Sequence, residues 1–198
     1  MKLVKKNCLD ISETNQCEKW SYDLNVDLSI FIQWQSRFST IYWVTLDSKI
    51  RIFQYKFIHR RISTNDYLFK IGVKNSPQCN FCKVESQTLI HLFCLCPIVS
   101  KFWTDLNNWL NCHNISSSKL SYIDICFGFP SKSQHLLNTI VLFAKYFIFK
   151  TKCQEDLLSL VLFINDLKSI ESVEQIIAFK KGKEKLHIEK WRPLLFLQ

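Results

Sequence analysis

Glycine and proline are scarce in this chain, at 3 and 4 residues among 198. Barrels and sandwiches need many tight turns, which these residues form most readily, so their shortage disfavours a many-stranded fold and leaves long helices as the easier architecture. Long hydrophobic runs are lacking too. The opening "MKLVKKNCLDISETNQCEKW" is polar and of mixed charge, so no apolar leader follows Met1. The best apolar stretch, Ile140 to Phe149, is interrupted by Lys145 and is too short to span a bilayer. There is no internal repeat and no low-complexity segment. A soluble, intracellular protein of nucleus or cytoplasm is expected, with no membrane partner.

What the chain does contain is apolar and aromatic. Hydrophobic residues make up 47% and aromatics 14%, enough to bury a sizeable core as one domain or as two small ones sharing an interface. The expected class is mostly α. Nine cysteines are an odd number, and a reducing compartment disfavours a disulfide framework. Cys8, Cys17, Cys112, Cys126 and Cys153 stand singly and read as small buried hydrophobes. The remaining four lie with one histidine in "CNFCKVESQTLIHLFCLC", residues 79 to 96.

The spacing there is Cys79-x2-Cys82-x8-His91-x4-Cys96, with Cys94 as a competitor for the last position. Two thiolates separated by two residues can grip one ion from a tight knuckle, and a second pair folding back would complete the tetrahedron that zinc prefers. If "ESQTLIHLF" is helical, His91 and Cys94 share a face, whereas His91 and Cys96 stand roughly 140° apart on a continuous α-helix. Cys96 therefore reaches only if the helix ends beside it. Pro97 follows at once and biases Cys96 out of the α region, so geometry leaves both cysteines open with a slight preference for Cys96. The metal-free reading makes His91, Cys94 and Cys96 core and cap residues. A redox pair at Cys79 and Cys82 would need a thioredoxin-like strand-to-helix context, which "KIGVKNSPQCNFC" does not supply. A cysteine nucleophile would need an exposed thiolate beside a free base.

The formal net charge of +9 is concentrated. From Lys49 to Lys74 seven basic residues face Asp66 alone, and from Phe179 to Arg192 six face Glu184 and Glu189. Localised charge of this kind is the electrostatic footprint of a nucleic-acid binder, with a solvated helix face as the plainer alternative. In "DSKIRIFQYKFIHRRIS", Asp47 or Ser48 can cap a helix on which Ile50, Phe53 and Phe57 share one face and Arg51, Tyr55, Ile58 and Ile62 another. Lys49, Lys56 and Arg60 then fall on a third strip with Arg61 to its side, and these four are the expected phosphate contacts.

A short helix after "STND" stopping at Gly72, a helix through "PIVSKFWTDLNNWL", and upstream helical spacing of Leu28, Phe31, Ile32, Gln35, Phe38 and Tyr42 complete the first half. "NISSSKLS" reads as the best loop. The expected organisation is an irregular segment over 1–27, a helical zinc-binding (CCHC) domain over 28–112, a linker over 113–134, and a C-terminal helical region over 135–198. Within that last region a helix or helix pair runs from about Glu155 to Lys190.

The ordered blocks "KIRIFQYKFIHRRISTNDYLFKIGV", "CNFC", "HLFCLC" and "FW" resemble the C-terminal zinc-binding region of reverse transcriptases from LINE-type (non-LTR) retrotransposons. "LLNTIVLFAKYFIFKTKC", "VEQIIAFKKGKEKLHIEKW" and Trp191 look like the tail of such polyproteins, so the resemblance spans roughly residues 30 to 192. It implies one Zn2+ ligated by Cys79, Cys82, His91 and Cys96, with Cys94 at a position that is commonly apolar. It also implies RNA or DNA as partner, together with other parts of the polyprotein. A reverse transcriptase needs paired aspartates to hold two metal ions, and no Asp-Asp pair occurs here. The expectation is therefore a nucleic-acid-binding piece without enzymatic activity, and the alternative is a zinc-stapled module that docks on protein.

Overall fold

The computed structural model describes residues 11–27, 44–45 and 47–197. Among them there is no strand, only an isolated antiparallel bridge between Gln78 and Ser86, and the expected mostly-α class holds. The α-helices are α1 (Ile11–Leu24), α2 (Ser48–Ile58), α3 (Asn65–Lys70), α4 (Pro97–Cys112), α5 (Tyr122–Phe127), α6 (His135–Gln154), α7 (Leu160–Lys180) and α8 (Glu184–Trp191). A π turn, His91–Leu95, precedes α4. None of these helices is long and apolar enough to cross a membrane. The upstream stretch from Leu28 to Tyr42 lies outside the described residues.

Local chemistry sets the helix ends. Asp47 accepts the Lys49 N–H at 2.7 Å and starts α2; Thr64 accepts the Tyr67 N–H and starts α3. Helix α3 closes through Gly72 at φ 74, which the left-handed turn favours because glycine has no Cβ to clash. Ser121 and Asp124 form a reciprocal capping box at α5.

One continuous core joins both expected halves, from Cys17 to Trp191. Ile50, Phe53 and Phe57 of α2 are buried as periodicity predicts, and on α4 Phe102, Trp103 and Leu106 are buried. Phe57 packs edge-on against Phe93 of the π turn at 5.0 Å between centroids, while Phe102, Phe147 and Phe163 tie α4, α6 and α7 together.

Three expectations are revised. Residues 1–27 are not all irregular, because α1 occupies Ile11–Leu24 and buries Cys17 and Trp20. The Trp20 indole donates to the Ile58 carbonyl at 2.9 Å and packs on Phe57 and Phe127. The stretch 113–134, read as a linker, contains α5, whose Ile125, Cys126 and Phe127 are buried. Of the single cysteines described, Cys17 and Cys126 are buried but Cys112 and Cys153 are exposed.

Lys145, which breaks the apolar run in sequence, is itself buried. Its ammonium donates to Gln54 Oε1 at 2.7 Å and to the Cys126 carbonyl at 2.8 Å, and it sits 4.6 Å from the Phe57 ring centroid. Burial pushes its pKa down to about 7, with the Cys126 and Cys94 thiols acting the other way.

Candidate metal centre

The chain between α3 and α4 builds a knuckle from backbone hydrogen bonds. Cys79 N–H donates to the Glu85 carbonyl at 2.8 Å, Lys83 N–H donates to the Cys79 carbonyl at 3.0 Å, and Gln87 N–H donates to the Pro77 carbonyl at 2.8 Å. Lys83 takes φ 60, the left-handed conformation that lets the chain reverse just after Cys82. Asn65 at the start of α3 supports this loop from beneath, donating its amide to the Gln78 carbonyl at 2.6 Å.

The second pair is set by the π turn. An α-helix would leave His91 and Cys96 far apart around the axis, but the wider turn closes an i to i+5 hydrogen bond, Cys96 N–H to the His91 carbonyl at 2.8 Å. That brings the two residues to one side. Leu92 and Phe93, both fully buried, pin the turn to the core, and Trp103 Nε1 donates to the Phe93 carbonyl at 2.8 Å. Cys96 itself has left the helix, with φ −58 and ψ 127, as its position before Pro97 requires.

As a result one ligand atom from each of Cys79, Cys82, His91 and Cys96 lies within 4.8 Å of the others. Cys79 Sγ and Cys96 Sγ are 3.8 Å apart; Cys82 Sγ and His91 Nε2 are 3.4 Å apart. A tetrahedral ion with metal–sulfur bonds of about 2.3 Å and a metal–nitrogen bond of about 2.0 Å would set these edges at roughly 3.8 Å and 3.5 Å. The donor set and its spacing therefore fit a closed four-ligand site. Cys94 is directed elsewhere: its sulfur lies 3.8 Å from Cys126 Sγ in the core, where the Cys126 contact and burial push its pKa well up.

The electrostatics of the four ligands are uneven. Burial raises the Cys82 thiol, but the Glu85 and Val84 amides and His91 outweigh it and bring the pKa to about 7. At Cys96 burial prevails and raises the pKa to about 11, against the Val99 and Ile98 amides at the start of α4. A divalent cation would hold both as thiolates, since coordination displaces the thiol proton. Two supports escape sequence reading. Fully buried Gln87 donates Nε2 to Cys79 Sγ at 3.6 Å while its Oε1 accepts the Asn65 N–H at 3.1 Å. Glu85 Oε2 lies 2.9 Å from His91 Nδ1, an ion-pair distance without the directionality of a full hydrogen bond.

The basic strip is only partly as expected. Lys49 and Lys56 are exposed on α2 and Arg61 is exposed just after it, without ion-pair partners among the described residues. Arg60 does not continue their strip, because α2 ends at Ile58 and Arg60 takes φ 57 at the position glycine commonly fills in such a stop. The Arg61 N–H then donates to the Lys56 carbonyl, and the Arg60 guanidinium turns back to pair with Asp23 and to lie 4.9 Å from the Trp20 ring centroid. Its charge serves the α1 junction.

Residues 28–103 match the family model described as zinc-binding in reverse transcriptase. The match takes in α2, α3, the knuckle, the π turn and the first part of α4, and with the four-ligand cluster it supports a zinc-binding module. No curated protein and no solved structure matches the chain.

Proposed function

We propose that this chain is a non-enzymatic module in which one structural zinc ion staples the knuckle to the helical core, and whose exposed basic side chains hold RNA or DNA by its phosphates. The observation that carries the reading is the closed set of Cys79, Cys82, His91 and Cys96. Four protein ligands leave no open position for water or substrate, so the ion would stabilise structure and not perform chemistry. Lys49 and Lys56 on α2, which packs against the π turn, and Arg61 just after it supply free positive charge. The ordered blocks of the sequence support an origin in a LINE-type retrotransposon polyprotein, and in this reading the module acts inside the cell, in nucleus or cytoplasm, beside other parts of that polyprotein.

The test is fluorescence anisotropy with labelled RNA and DNA over a range of salt, with and without a chelator. Binding should weaken steeply with salt and be lost with the metal. A combined Lys49→Ala, Lys56→Ala and Arg61→Ala change should flatten the slope of log K against log salt by roughly two to three, at about 0.7 to 0.9 per phosphate contact. Base preference, if present, should survive. Absence of binding at low salt by the metal-loaded protein would refute the reading.

A protein-docking role is favoured by one observation. Val161, Leu162, Val173 and Ile176 of α7 are exposed apolar side chains on a helix whose other face is buried. Salt-insensitive capture of a protein partner is its signature.

A further inference from the structure

The second concentration of charge lies outside the matched residues 28–103, at the tip of the α7–α8 hairpin. The base of that hairpin is fixed. Glu171 and His187 meet at 2.8 Å in the interior, Glu174 takes the Lys190 ammonium at 2.7 Å and the Trp191 indole at 2.9 Å, and Trp191 is fully buried. Lys190, counted in sequence among the basic residues, is therefore already neutralised.

The tip is different. Gly182 at φ 60 reverses the chain, with the Lys183 N–H donating to the Ala178 carbonyl at 2.9 Å. Around this turn Lys180, Lys181, Lys183 and Lys185 are exposed, with no ion-pair partner among the described residues; the neighbouring carboxylates in sequence are Glu184 and, one helical turn beyond Lys185, Glu189. Phe179 stands among them 72% exposed, and Leu186 is 62% exposed. An exposed phenyl ring beside unpaired ammonium groups offers an apolar face and positive charge in one place, and a partner that uses both must seek positive charge.

We infer that the α7–α8 tip is a contact site for single-stranded nucleic acid, with the four lysines on the phosphates and the Phe179 ring stacked on an unpaired base. The inference rests on the nucleic-acid reading above and adds a second, separate contact to it. A single strand offers both parts at once, because it carries closely spaced phosphates and exposed base faces, whereas a duplex hides those faces in its stack. The fixed hairpin base positions the backbone of the tip before binding, so little backbone order is lost on contact.

The test compares the full-length protein with a Lys180→Ala, Lys181→Ala, Lys183→Ala and Lys185→Ala variant and with Phe179→Ala. Probes are oligo(U), oligo(dT), a short duplex DNA and phosphatidylcholine–phosphatidylserine vesicles. Zinc content and melting temperature should match the wild type, since none of these side chains is buried. The lysine variant should flatten the single-strand salt slope by about two to three. Phe179→Ala should weaken oligo(U) and oligo(dT) roughly tenfold and leave duplex DNA nearly unchanged. Oligonucleotide binding by the wild type with wild-type behaviour of both variants overturns the tip site and leaves the proposed function intact. Failure of the wild type to bind any oligonucleotide overturns both, as does tip-dependent binding confined to the anionic vesicles. Equal losses on duplex and single strand with Phe179→Ala overturn the stacking role.

Discussion

Glu85 Oε2 lies 2.9 Å from His91 Nδ1, while Nε2 on the far side of the same ring faces Cys82 Sγ at 3.4 Å. The carboxylate stands close enough to favour a proton on Nδ1 by charge alone, which would leave the Nε2 lone pair turned into the cluster. Glu85→Gln should lower metal affinity by roughly ten- to a hundredfold without unfolding the loaded protein. Competition against a chromophoric chelator measures this, and unchanged affinity would remove Glu85 from the account.

The two contested cysteines separate cleanly. Cys96→Ser should abolish stoichiometric zinc binding, because its sulfur is one edge of the cluster. Cys94→Ser should retain one zinc per chain and lose about 1–3 kcal/mol of stability, since a hydroxyl would replace a buried thiol beside Cys126. Metal analysis and melting of the two proteins give the answer.

Metal removal should have a wider effect than the knuckle alone. The cluster region meets the residue just past α6 through Asn80 Nδ2 donating to Glu155 Oε1 at 3.2 Å, and the α2–α3 connection meets α6 through Lys152 donating to the Ser63 carbonyl at 2.8 Å. Chelation should release hydrogen-exchange protection over residues 75–100 first, then over α3, while the α7–α8 hairpin keeps its own. Unchanged exchange and melting after verified metal loss would contradict a structural ion.

Lys145 gives a pH prediction with a definite sign. Its pKa falls from about 10.5 unfolded to about 7 folded, so between these values the unfolded chain binds the extra proton and stability rises with pH. The burden of the buried ammonium is complete below pH 7 and relieved towards pH 10. Lys145→Met removes that titration, so its stability relative to wild type should fall steadily as pH increases across this window. Denaturant unfolding at several pH values measures the difference, and a pH-independent difference would show that the amine is not depressed.

Much of this was legible from residue types and spacing. The α2 cap and its buried stripe follow from Asp47, Ile50, Phe53 and Phe57; spacing narrows the ligands to Cys79, Cys82, His91 and either Cys94 or Cys96, and the family resemblance selects Cys96. What escaped depends on partners distant in sequence or on uncommon backbone. A 3.6-residue period cannot foresee the π turn that unites His91 with Cys96. Counting charges near Arg60 cannot reveal Asp23, thirty-seven residues earlier. Helix α1 looked irregular because its sequence is polar, and burial of Trp20 and Cys17 anchors it. The loop over 113–134 hid a Ser121–Asp124 capping box, a start pattern visible in the sequence.

Zinc K-edge X-ray absorption of the purified protein reads the ligand shell itself. One zinc per chain is expected, with three sulfur neighbours at about 2.3 Å and one imidazole nitrogen at about 2.0–2.1 Å, unchanged in Cys94→Ser. A shell with oxygen from water in place of one protein ligand, or two sulfurs only, would contradict the closed site of Cys79, Cys82, His91 and Cys96.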